Sequence, residues 1–328
     1  MKASILTNYG SPDFFELQEV TKPTPKDNEV QIKIHASSIN SWDWEILKGK
    51  PFVNRLMVGL RKPTKIKIFG CDIAGRVEAV GKNVKQFLPG DEVFGDLSYC
   101  SWGGYAEYVC VPENKNALAS KPASMSFEQA AAVPQAAVLA LQGLRQGKVN
   151  QAQKVLINGA SGGVGSFAVQ IAKSYGAEVT GVCRTRKMDF VGSLGADHII
   201  DYTQEDFTGS GQQYDLILDV QGRHSIFDYR RALSSNGRYV MVGGSSVLIL
   251  QVMFMGPLIS MISSKKMGLL LHKPNANDLD IMKLLFEEGT VTPVIDKCYP
   301  LSEVAEALRY YEEGNVKGKV VINMVGNA

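Results

Sequence analysis

Residues 154–186 constrain the fold of this chain more than any other stretch, because they combine four elements in a fixed order. The stretch begins with a short apolar run, Val155-Leu156-Ile157, typical of a strand that is buried on both faces. A glycine-rich turn follows, and then apolar residues recur at helical spacing up to Tyr175, where Gly176 ends the helix. A second apolar run completes the unit. The order predicts strand, loop, helix and strand, the repeating unit of a parallel sheet.

The turn in this unit has the spacing of a nucleotide-binding loop. It consists of Ala160, Ser161, Gly162, Gly163, Val164 and Gly165, which matches the pattern G-x-G-x-x-G except that alanine stands in the first glycine position. Gly162 would let the backbone approach a pyrophosphate, and Gly165 would let helix and strand pack closely. The first free N–H groups of the helix would face the phosphates. We predict a dinucleotide site at this loop; a tight structural turn is the alternative.

The end of the second strand indicates which nicotinamide cofactor the loop would bind. A site for NAD requires an acidic residue there to bind the ribose diol. This chain instead has Arg184, Thr185, Arg186 and Lys187, and it has no carboxylate from the end of that strand to Asp189. Three cations and a hydroxyl suit the 2′-phosphate of NADPH, which arginine binds through paired hydrogen bonds. We therefore predict NADPH; a solvated basic loop is the alternative.

Length and composition limit the class of protein. The 328 residues exceed the usual size of one domain, so we expect two. The chain is 45% hydrophobic and 21% charged, with a formal charge of +2 and no basic stripe long enough for a nucleic-acid partner. The five cysteines are scattered, which argues against a disulfide framework or a structural zinc lobe. The N-terminus lacks the apolar core of a secretory signal, and its acidic residues argue against a transit peptide, so we expect a cytoplasmic protein.

The sequence pattern changes twice along the chain. Residues 1–124 are rich in alternating strand patterns separated by turns, without a long helical periodicity, which predicts a compact, mostly antiparallel β domain. Residues 125–272 alternate helices and strands, starting from a capping-box pattern at Ser126 and Gln129, which predicts a parallel sheet wrapped by helices on both faces. Residues 273–328 add two helices and a closing strand, and we assign them to the first domain.

The most apolar stretch is 247–262. Its sixteen residues fall short of the roughly 20 that span a bilayer, and Gly256-Pro257 is expected to break it, so we predict no transmembrane segment. The stretch is interpreted as core or a subunit interface. A substrate-pocket cover and a peripheral membrane contact are the alternatives.

Several short motifs are distributed over nearly the full length of the chain. They are Ser38-Ile39-Asn40-Ser41-Trp42-Asp43, Gly70-Cys71-Asp72-Ile73-Ala74-Gly75, Pro89-Gly90-Asp91-Glu92-Val93, the glycine loop, Ser193-Leu194-Gly195-Ala196-Asp197, Thr292-Pro293-Val294-Ile295-Asp296 and Gly318-Lys319-Val320-Val321. Together they resemble the zinc-free quinone oxidoreductase branch of the medium-chain dehydrogenase/reductase superfamily. The resemblance implies an α/β fold with a GroES-like catalytic domain and a Rossmann-type doubly wound cofactor domain. It also implies a homodimer that extends the parallel sheet near residues 266–271.

The resemblance also bears on metal binding. The positions that hold catalytic zinc in the zinc-dependent members of the superfamily correspond here to Asn40, Cys71, Asp72 and Gln135. One thiol and one acid beside two neutral amides do not form the donor set that zinc requires. We therefore expect no metal, which argues against an ordinary alcohol dehydrogenase.

Without a metal, the hydride acceptor must be electrophilic by itself, as a quinone or an α,β-unsaturated ketone or aldehyde is. The resemblance places Asn40 and Asp43 on the substrate side. Asn40 is expected to donate a hydrogen bond to the oxygen that gains negative charge. For Asp43, a structural role in orienting Asn40 or capping a helix is the alternative to a catalytic one. The open alternatives for the whole chain are a reductase of simple carbonyls and a non-catalytic NADPH-binding protein that docks on a membrane or a partner.

Further cofactor contacts are implied by the resemblance alone. Tyr202 matches a tyrosine that lines the adenosine end of the cofactor site, next to Arg184 and Arg186, and Lys187 is the nearest candidate for a lysine that reaches the 2′-phosphate. Near the nicotinamide, the resemblance implies backbone contacts from Val220, Gln221 and Gly222 and from Gly243 and Gly244, at strand ends.

Overall fold

The structure, a computed structural model, describes residues 1–100, 102–115 and 117–324. Its strands are β1 (Lys2–Leu6), β2 (Phe15–Glu19), β3 (Glu29–Ser38), β4 (Asp72–Val80), β5 (Glu92–Asp96), β6 (Tyr108–Pro112), β7 (Leu118–Ser120), β8 (Lys154–Asn158), β9 (Glu178–Cys183), β10 (His198–Asp201), β11 (Tyr214–Asp219), β12 (Leu233–Met241), β13 (Lys266–Leu269), β14 (Ile295–Pro300) and β15 (Lys319–Asn323). Its helices are α1 (Ser41–Lys48), α2 (Val53–Val58), α3 (Phe127–Ala131), α4 (Pro134–Gly147), α5 (Gly163–Ser174), α6 (Met188–Ser193), α7 (Ile226–Ala232), α8 (Ser246–Ile262), α9 (Ala276–Glu287) and α10 (Val304–Glu312), with 3₁₀ turns at Pro12–Phe14, Glu113–Lys115, Thr185–Lys187 and Leu301–Glu303.

The chain forms two compact units. Unit 1 consists of residues 1–138, 274–288 and 293–328, and unit 2 consists of residues 139–273 and 289–292. The first boundary lies within α4, so α3 and the start of α4 belong to unit 1. The C-terminal segment returns to unit 1, where β14 and β15 extend its sheet.

Unit 2 contains a six-stranded sheet with the order β10-β9-β8-β11-β12-β13, and every neighbouring pair in it is parallel. The order reverses between β8 and β11, as in a doubly wound Rossmann sheet. Val155, Leu156 and Ile157 in β8 are completely buried, as their apolar run predicts for a central strand. Gly176 has a φ of +76°, consistent with its predicted place at the end of α5. The predicted fold class is confirmed for this part of the chain.

Unit 1 contains a seven-stranded sheet with the order β14-β15-β3-β4-β5-β7, and β6 pairs with β3 outside this path. All its pairs are antiparallel except β14 with β15. A separate hairpin joins β1 and β2. This is the mostly antiparallel, GroES-like sheet that the sequence predicts. The predicted capping box before α3 is also present, because the Ser126 hydroxyl accepts from the Gln129 N–H at 3.2 Å and Ser126 N–H donates to Gln129 Oε1 at 3.0 Å.

Two features of the fold differ from the sequence predictions. The helices α1 and α2 interrupt the strand-rich first part, and each is too short to give a long periodic pattern. The expected break at Gly256-Pro257 is wrong, because α8 continues through Pro257. The absence of a side chain at Gly256 lets α8 pack closely on β13, since a Cβ there would lie 2.8 Å from the Met267 carbonyl oxygen.

The apolar helix α8 is only partly buried. Leu248, Val252 and Ile259 pack into the core of unit 2, whereas Phe254 and Met261 are 69% and 77% exposed. The interpretation of this stretch as core therefore holds for one face only. Within the described residues, no helix combines the length and the apolar character that crossing a membrane requires.

Candidate active site

A buried polar cluster forms in unit 1 where β3, β4 and β15 meet. The register pairs Ser38 at the end of β3 with Asp72 at the start of β4, and Ser38 with Val321 in β15. Asn40 lies two residues after the end of β3 and is the N-cap residue of α1. The antiparallel pairing thus brings Asn40, Asp72 and Lys319 together, and all three side chains are at most 6% exposed.

The Asn40 side-chain amide is held at both ends. Its Oδ1 accepts a hydrogen bond from the Lys319 ammonium, which fixes which end of the amide is the oxygen. Its Nδ2 donates to Asp72 Oδ2 at 2.9 Å and approaches Cys71 Sγ at 3.4 Å. Sulfur is a weak hydrogen-bond acceptor, so the Asn40 N–H that approaches Cys71 Sγ can instead donate to a stronger acceptor. Asn40 is therefore rigidly oriented, with one N–H held only weakly.

Asp72 is the centre of the cluster and is completely buried. Its carboxylate accepts from Ser38 Oγ at 2.8 Å, from Asn40 Nδ2 at 2.9 Å and from the Lys319 ammonium at 3.3 Å. It also accepts from the Gln135 N–H at 2.9 Å, at the free amino end of α4, where a negative charge is favoured. Burial raises the pKa of Asp72, and the Lys319 charge opposes this shift. The cluster is a buried ion pair whose remaining acceptor sites are satisfied by hydrogen bonds.

Asp43 lies behind Asn40 and is 1% exposed. It accepts from the Asn40 N–H at 2.9 Å and from the Gly70 N–H at 3.1 Å. Burial, more than any other cause, raises the pKa of Asp43 to about 7. These contacts agree with the alternative given from the sequence, in which Asp43 caps α1 and orients Asn40 through the backbone.

The raised pKa of Asp43 predicts a pH dependence of stability. The folded state holds this proton up to about pH 7, whereas the unfolded chain releases it near the ordinary value of 3.8. The folded state therefore binds more protons between these values, and its stabilisation falls as pH rises through this window. We expect the free energy of unfolding, followed by tryptophan fluorescence, to fall by roughly 1–3 kcal/mol from pH 5 to pH 8 relative to Asp43→Asn. Parallel pH curves for the two proteins would contradict the assignment.

Cys71, Asp72 and Asp96 offer ligand atoms that lie within 4.8 Å of one another, so the cluster has to be tested as a metal site. The donor set does not fit zinc. Burial and the neighbouring Asp72 and Asp96 raise the pKa of Cys71 well above its usual range, and zinc binds the thiolate. Asp72 is already paired with the Lys319 ammonium, whose positive charge would repel a metal ion. The nearby amides of Asn40 and Gln135 are poor zinc ligands.

The glycine loop in unit 2 has the geometry of an anion-binding loop. Gly162 is the residue before α5, and a Cβ on it would meet nothing closer than the Gly159 carbonyl oxygen at 3.7 Å. A Cβ on Gly165 would lie 2.1 Å from that same oxygen, so only glycine allows the observed packing of α5 on the loop. Within the part of the chain that the structure describes, the N–H groups of Gly163, Val164 and Gly165 have no hydrogen-bond acceptor. Ala160 is fully buried and Ser161 nearly so.

The predicted basic ligands lie after β9, but they differ in exposure. The Arg184 guanidinium donates to the Tyr202 hydroxyl at 2.5 Å, so the two predicted contacts are brought together. Arg223, which the sequence did not single out, lies over the same Tyr202 ring at 5.9 Å. Arg186 is exposed, whereas Lys187 is 7% exposed and has a partner within the fold. Of the three predicted cations, Arg184 and Arg186 are therefore the two that are open to a ligand.

An acidic side chain at this edge of the sheet, Asp201, is already hydrogen-bonded within the fold. Asp201 pairs with Cys183 in the register of β10 and β9, which brings its carboxylate close to the loop after β9. The carboxylate accepts hydrogen bonds from the Thr185 hydroxyl and from the Thr203 N–H and hydroxyl. These bonds lower the pKa of Asp201, with Thr185 the largest cause. Asp201 is thus used within the fold and is poorly placed to bind a ribose diol.

The backbone predicted to lie near the nicotinamide forms one compact group at the carboxyl ends of β11 and β12. Val220 N–H donates to the Asn158 carbonyl at 3.0 Å, and Gly222 N–H donates to the Gly243 carbonyl at 3.1 Å. Gly244 has a φ of +152°, and a Cβ there would lie 2.7 Å from the Gly222 carbonyl oxygen. The structure therefore brings Val220, Gly243 and Gly244 together at the edge where ligands bind in open parallel sheets.

Comparison with known proteins agrees with this architecture. Residues 26–123 match the family described as alcohol dehydrogenase GroES-like domain, and residues 194–322 match the family described as zinc-binding dehydrogenase. The chloroplast envelope quinone oxidoreductase homolog of Arabidopsis thaliana is 35% identical over 93% of this chain and 92% of its own. The 2-methylene-furan-3-one reductase of Solanum lycopersicum is 34% identical over 99% of this chain and 79% of its own.

A solved structure extends the agreement to three dimensions. The quinone oxidoreductase from Coxiella burnetii superposes with a TM-score of 0.88 at 30% identity, and the match covers 99% of both chains. The resemblance stated from the motifs is therefore confirmed over both units, and the protein is an oxidoreductase. The chain belongs to the medium-chain dehydrogenase/reductase superfamily, in its zinc-free quinone oxidoreductase branch.

Proposed function

We propose that this protein is a zinc-independent reductase that uses NADPH to reduce a quinone or an α,β-unsaturated ketone or aldehyde. The observation that carries the proposal is the Lys319–Asp72–Asn40 cluster. The site contains a protonated thiol, a carboxylate paired with an ammonium, and two neutral amides. None of these groups is a Lewis acid that could polarise an alcohol or a simple carbonyl. The acceptor must then be electrophilic by itself.

The cofactor part of the proposal rests on unit 2. The free N–H groups at the start of α5 suit a pyrophosphate, with Ala160, Ser161, Gly162, Gly163 and Val164 lining the loop. Arg184 and Arg186 suit a 2′-phosphate, and Tyr202 beside Arg184 suits the adenosine end. The occupied Asp201 favours NADPH over NADH, because an NAD site needs a free acid for the ribose diol. When bound, the cofactor would supply a hydride.

The acceptor part is supported by chemistry and by the relatives. One of them is named for quinones, and 2-methylene-furan-3-one, for which another is named, is an α,β-unsaturated ketone. In both acceptor classes an oxygen gains negative charge when hydride adds to a conjugated carbon. We propose that Asn40 stabilises this oxygen by redirecting the N–H that now approaches Cys71 Sγ. Asp43 then acts as a positioning residue, because it holds the Asn40 backbone.

The proposal is tested by following NADPH absorbance with a quinone, an enone and a simple ketone in parallel. We expect turnover with the first two and little with the ketone, because a simple ketone lacks the conjugation that makes the acceptor electrophilic and the cluster supplies only the Asn40 amide and no Lewis acid. Turnover with the ketone alone would favour a simple carbonyl reductase. Tight NADPH binding without turnover of any acceptor would favour a non-catalytic binding protein.

The role of Asn40 is tested in the same assay. In Asn40→Ala we expect kcat to fall roughly 100-fold, the lower end of the effect of one oxyanion donor, while the Kd for NADPH is unchanged. Ser38→Ala is the matched control, since it also removes one donor from Asp72 Oδ2 but no amide from the site. Unchanged turnover in folded Asn40→Ala, or an equal loss in Ser38→Ala, would remove the proposed role.

Two further expectations from the sequence stay predictions. A homodimer would use β13, which is one of the two edge strands of the sheet in unit 2. A cytoplasmic location also stays a prediction.

A further inference from the structure

A second feature of unit 1 is the segment of residues 50–67, which we call the basic-apolar segment. Between Glu45 and Asp72 the chain has seven cationic side chains and no carboxylate, although its overall charge is nearly balanced. Five of these cations are exposed and make no ion pair with any residue that the structure describes. They are Lys50, Arg61, Lys62, Lys65 and Lys67. The segment is thus a local concentration of unpaired positive charge.

The same segment exposes a row of large apolar side chains. Phe52, Val53, Leu56 and Met57 are 63%, 54%, 52% and 47% exposed, and Leu60 just beyond α2 is 58% exposed. Val53, Leu56 and Met57 lie on the outer side of α2, whereas Asn54 and Val58 are buried on its inner side. Phe52 and Leu60 flank the helix at its two ends. Contiguous exposed apolar groups of this kind mark an interaction surface.

The outward orientation of this face is fixed by contacts on its inner side. Val58 is 1% exposed and packs into the core of unit 1. The Tyr9 hydroxyl donates to the Gly59 carbonyl at 2.7 Å, and the Arg55 guanidinium lies 4.9 Å from the Tyr9 ring centroid. The Asn54 amide donates to the Lys50 carbonyl at 3.0 Å. The apolar side chains therefore face outward although the backbone that bears them is anchored.

We propose that the basic-apolar segment is a docking surface for an anionic lipid bilayer. Phe52, Leu56 and Leu60 would enter the boundary between headgroups and acyl chains, while the cations would remain at the level of the lipid phosphates. A nucleic acid or a purely acidic polypeptide would pair with the cations but would leave the apolar row in water. An anionic lipid interface satisfies both halves of the segment, since it offers negative charge beside hydrocarbon.

The exposed apolar face of α8 in unit 2 provides a contrast. It is also apolar, but α8 itself contains no charged residue. The Lys265 ammonium donates to the Arg230 and Leu233 carbonyls at 2.8 Å each, and the Lys266 ammonium donates to the Ser260 carbonyl at 2.5 Å. Two cations follow this face in the chain, each bonded to backbone carbonyls, against five exposed cations in the basic-apolar segment, so the face serves as a control for apolar character.

The proposal is tested by co-sedimentation of the full chain with phosphatidylcholine vesicles, with or without phosphatidylglycerol. We expect binding only to the anionic vesicles, and its loss at roughly 1 M salt, where the Debye length is about 3 Å. The triple variant Arg61→Gln/Lys62→Gln/Lys67→Gln should bind roughly 100-fold more weakly, because each cation near an anionic leaflet contributes roughly fivefold. Phe52→Ser/Leu56→Ser should also lose binding.

Matched variants distinguish docking through the basic-apolar segment from vesicle binding caused by the overall charge or overall hydrophobicity of the protein. Lys85→Gln/Lys148→Gln/Lys154→Gln removes the same number of exposed cations elsewhere and should bind like the wild type. Phe254→Ser/Leu258→Ser, on the exposed face of α8, should also bind like the wild type. Equal losses in the test and control triples, binding to neutral vesicles, or no binding at low salt would overturn the proposal. Binding of polyglutamate as tight as that of vesicles and unaffected by Phe52→Ser/Leu56→Ser would assign the cations to an acidic protein instead.

Discussion

Lys319→Met is expected to reduce the free energy of unfolding of unit 1 by about 3–5 kcal/mol, the usual effect of leaving one partner of a buried ion pair uncompensated. The ammonium is the positive partner of Asp72, and it also holds Ile39 O at 3.0 Å and Asn40 Oδ1. Methionine fills a similar volume but offers no donor. All three tryptophans, Trp42, Trp44 and Trp102, lie in unit 1, so urea unfolding followed by tryptophan fluorescence reports on this unit.

The pH dependence of this effect distinguishes the loss of a charge pair from the loss of packing. Without the ammonium, the pKa of Asp72 rises further above its unfolded value, so the variant loses stability as pH rises from about 4 towards 7. The gap between wild type and Lys319→Met should therefore be small near pH 4 and widest near pH 7. Asp72→Asn/Lys319→Met should recover more than half of the loss, because no charge is left buried. A pH-independent gap without recovery in the double variant would mean that Lys319 acts by packing alone.

The sequence predicts unit 2 well because its signals are local. The apolar run of β8, the glycine loop and the helical spacing of α5 lie within a few residues of one another, and the strand order follows from repeating that unit. Ala160 in place of the first glycine does not disturb the loop, since the side chain is buried against the sheet. The position of the glycine loop between β8 and α5 is accordingly predictable from the sequence.

The cluster in unit 1 is only partly accessible to such reasoning. Asn40 and Lys319 are 279 positions apart in the chain, and only the pairing of β15 with β3 brings them together. Lys319 itself carries a sequence signal, because it is a lysine at the start of an apolar strand. Sequence spacing alone does not identify Asp72 as its partner. Asp96 and Arg223 were missed for the same reason. The straight course of α8 through Pro257 likewise depends on packing against β13 rather than on local preference.

The basis for cofactor choice lies in the loop after β9. Two cations are available to a phosphate: the exposed Arg186, and Arg184, whose guanidinium lies beside Tyr202. Lys187 is buried. The Asp201 carboxylate is hydrogen-bonded to Thr185 and Thr203. The adenosine 2′ position is the one place where NADPH and NADH differ. Removing these cations should therefore change affinity for one cofactor and leave the other nearly unaltered.

For Arg184→Ala/Arg186→Ala we expect the Kd for NADPH to rise roughly 1,000-fold, since each hydrogen bond to a charged group contributes about 1.5–3 kcal/mol. The Kd for NADH should change less than about threefold, because NADH offers these side chains no phosphate to pair with. Both constants are measured by quenching of intrinsic fluorescence, without any acceptor. Lys154→Ala is the control, because this exposed cation lies at the amino end of β8, on the opposite edge of the sheet. An equal loss for both cofactors would mean that the arginines support the loop instead of selecting the phosphate.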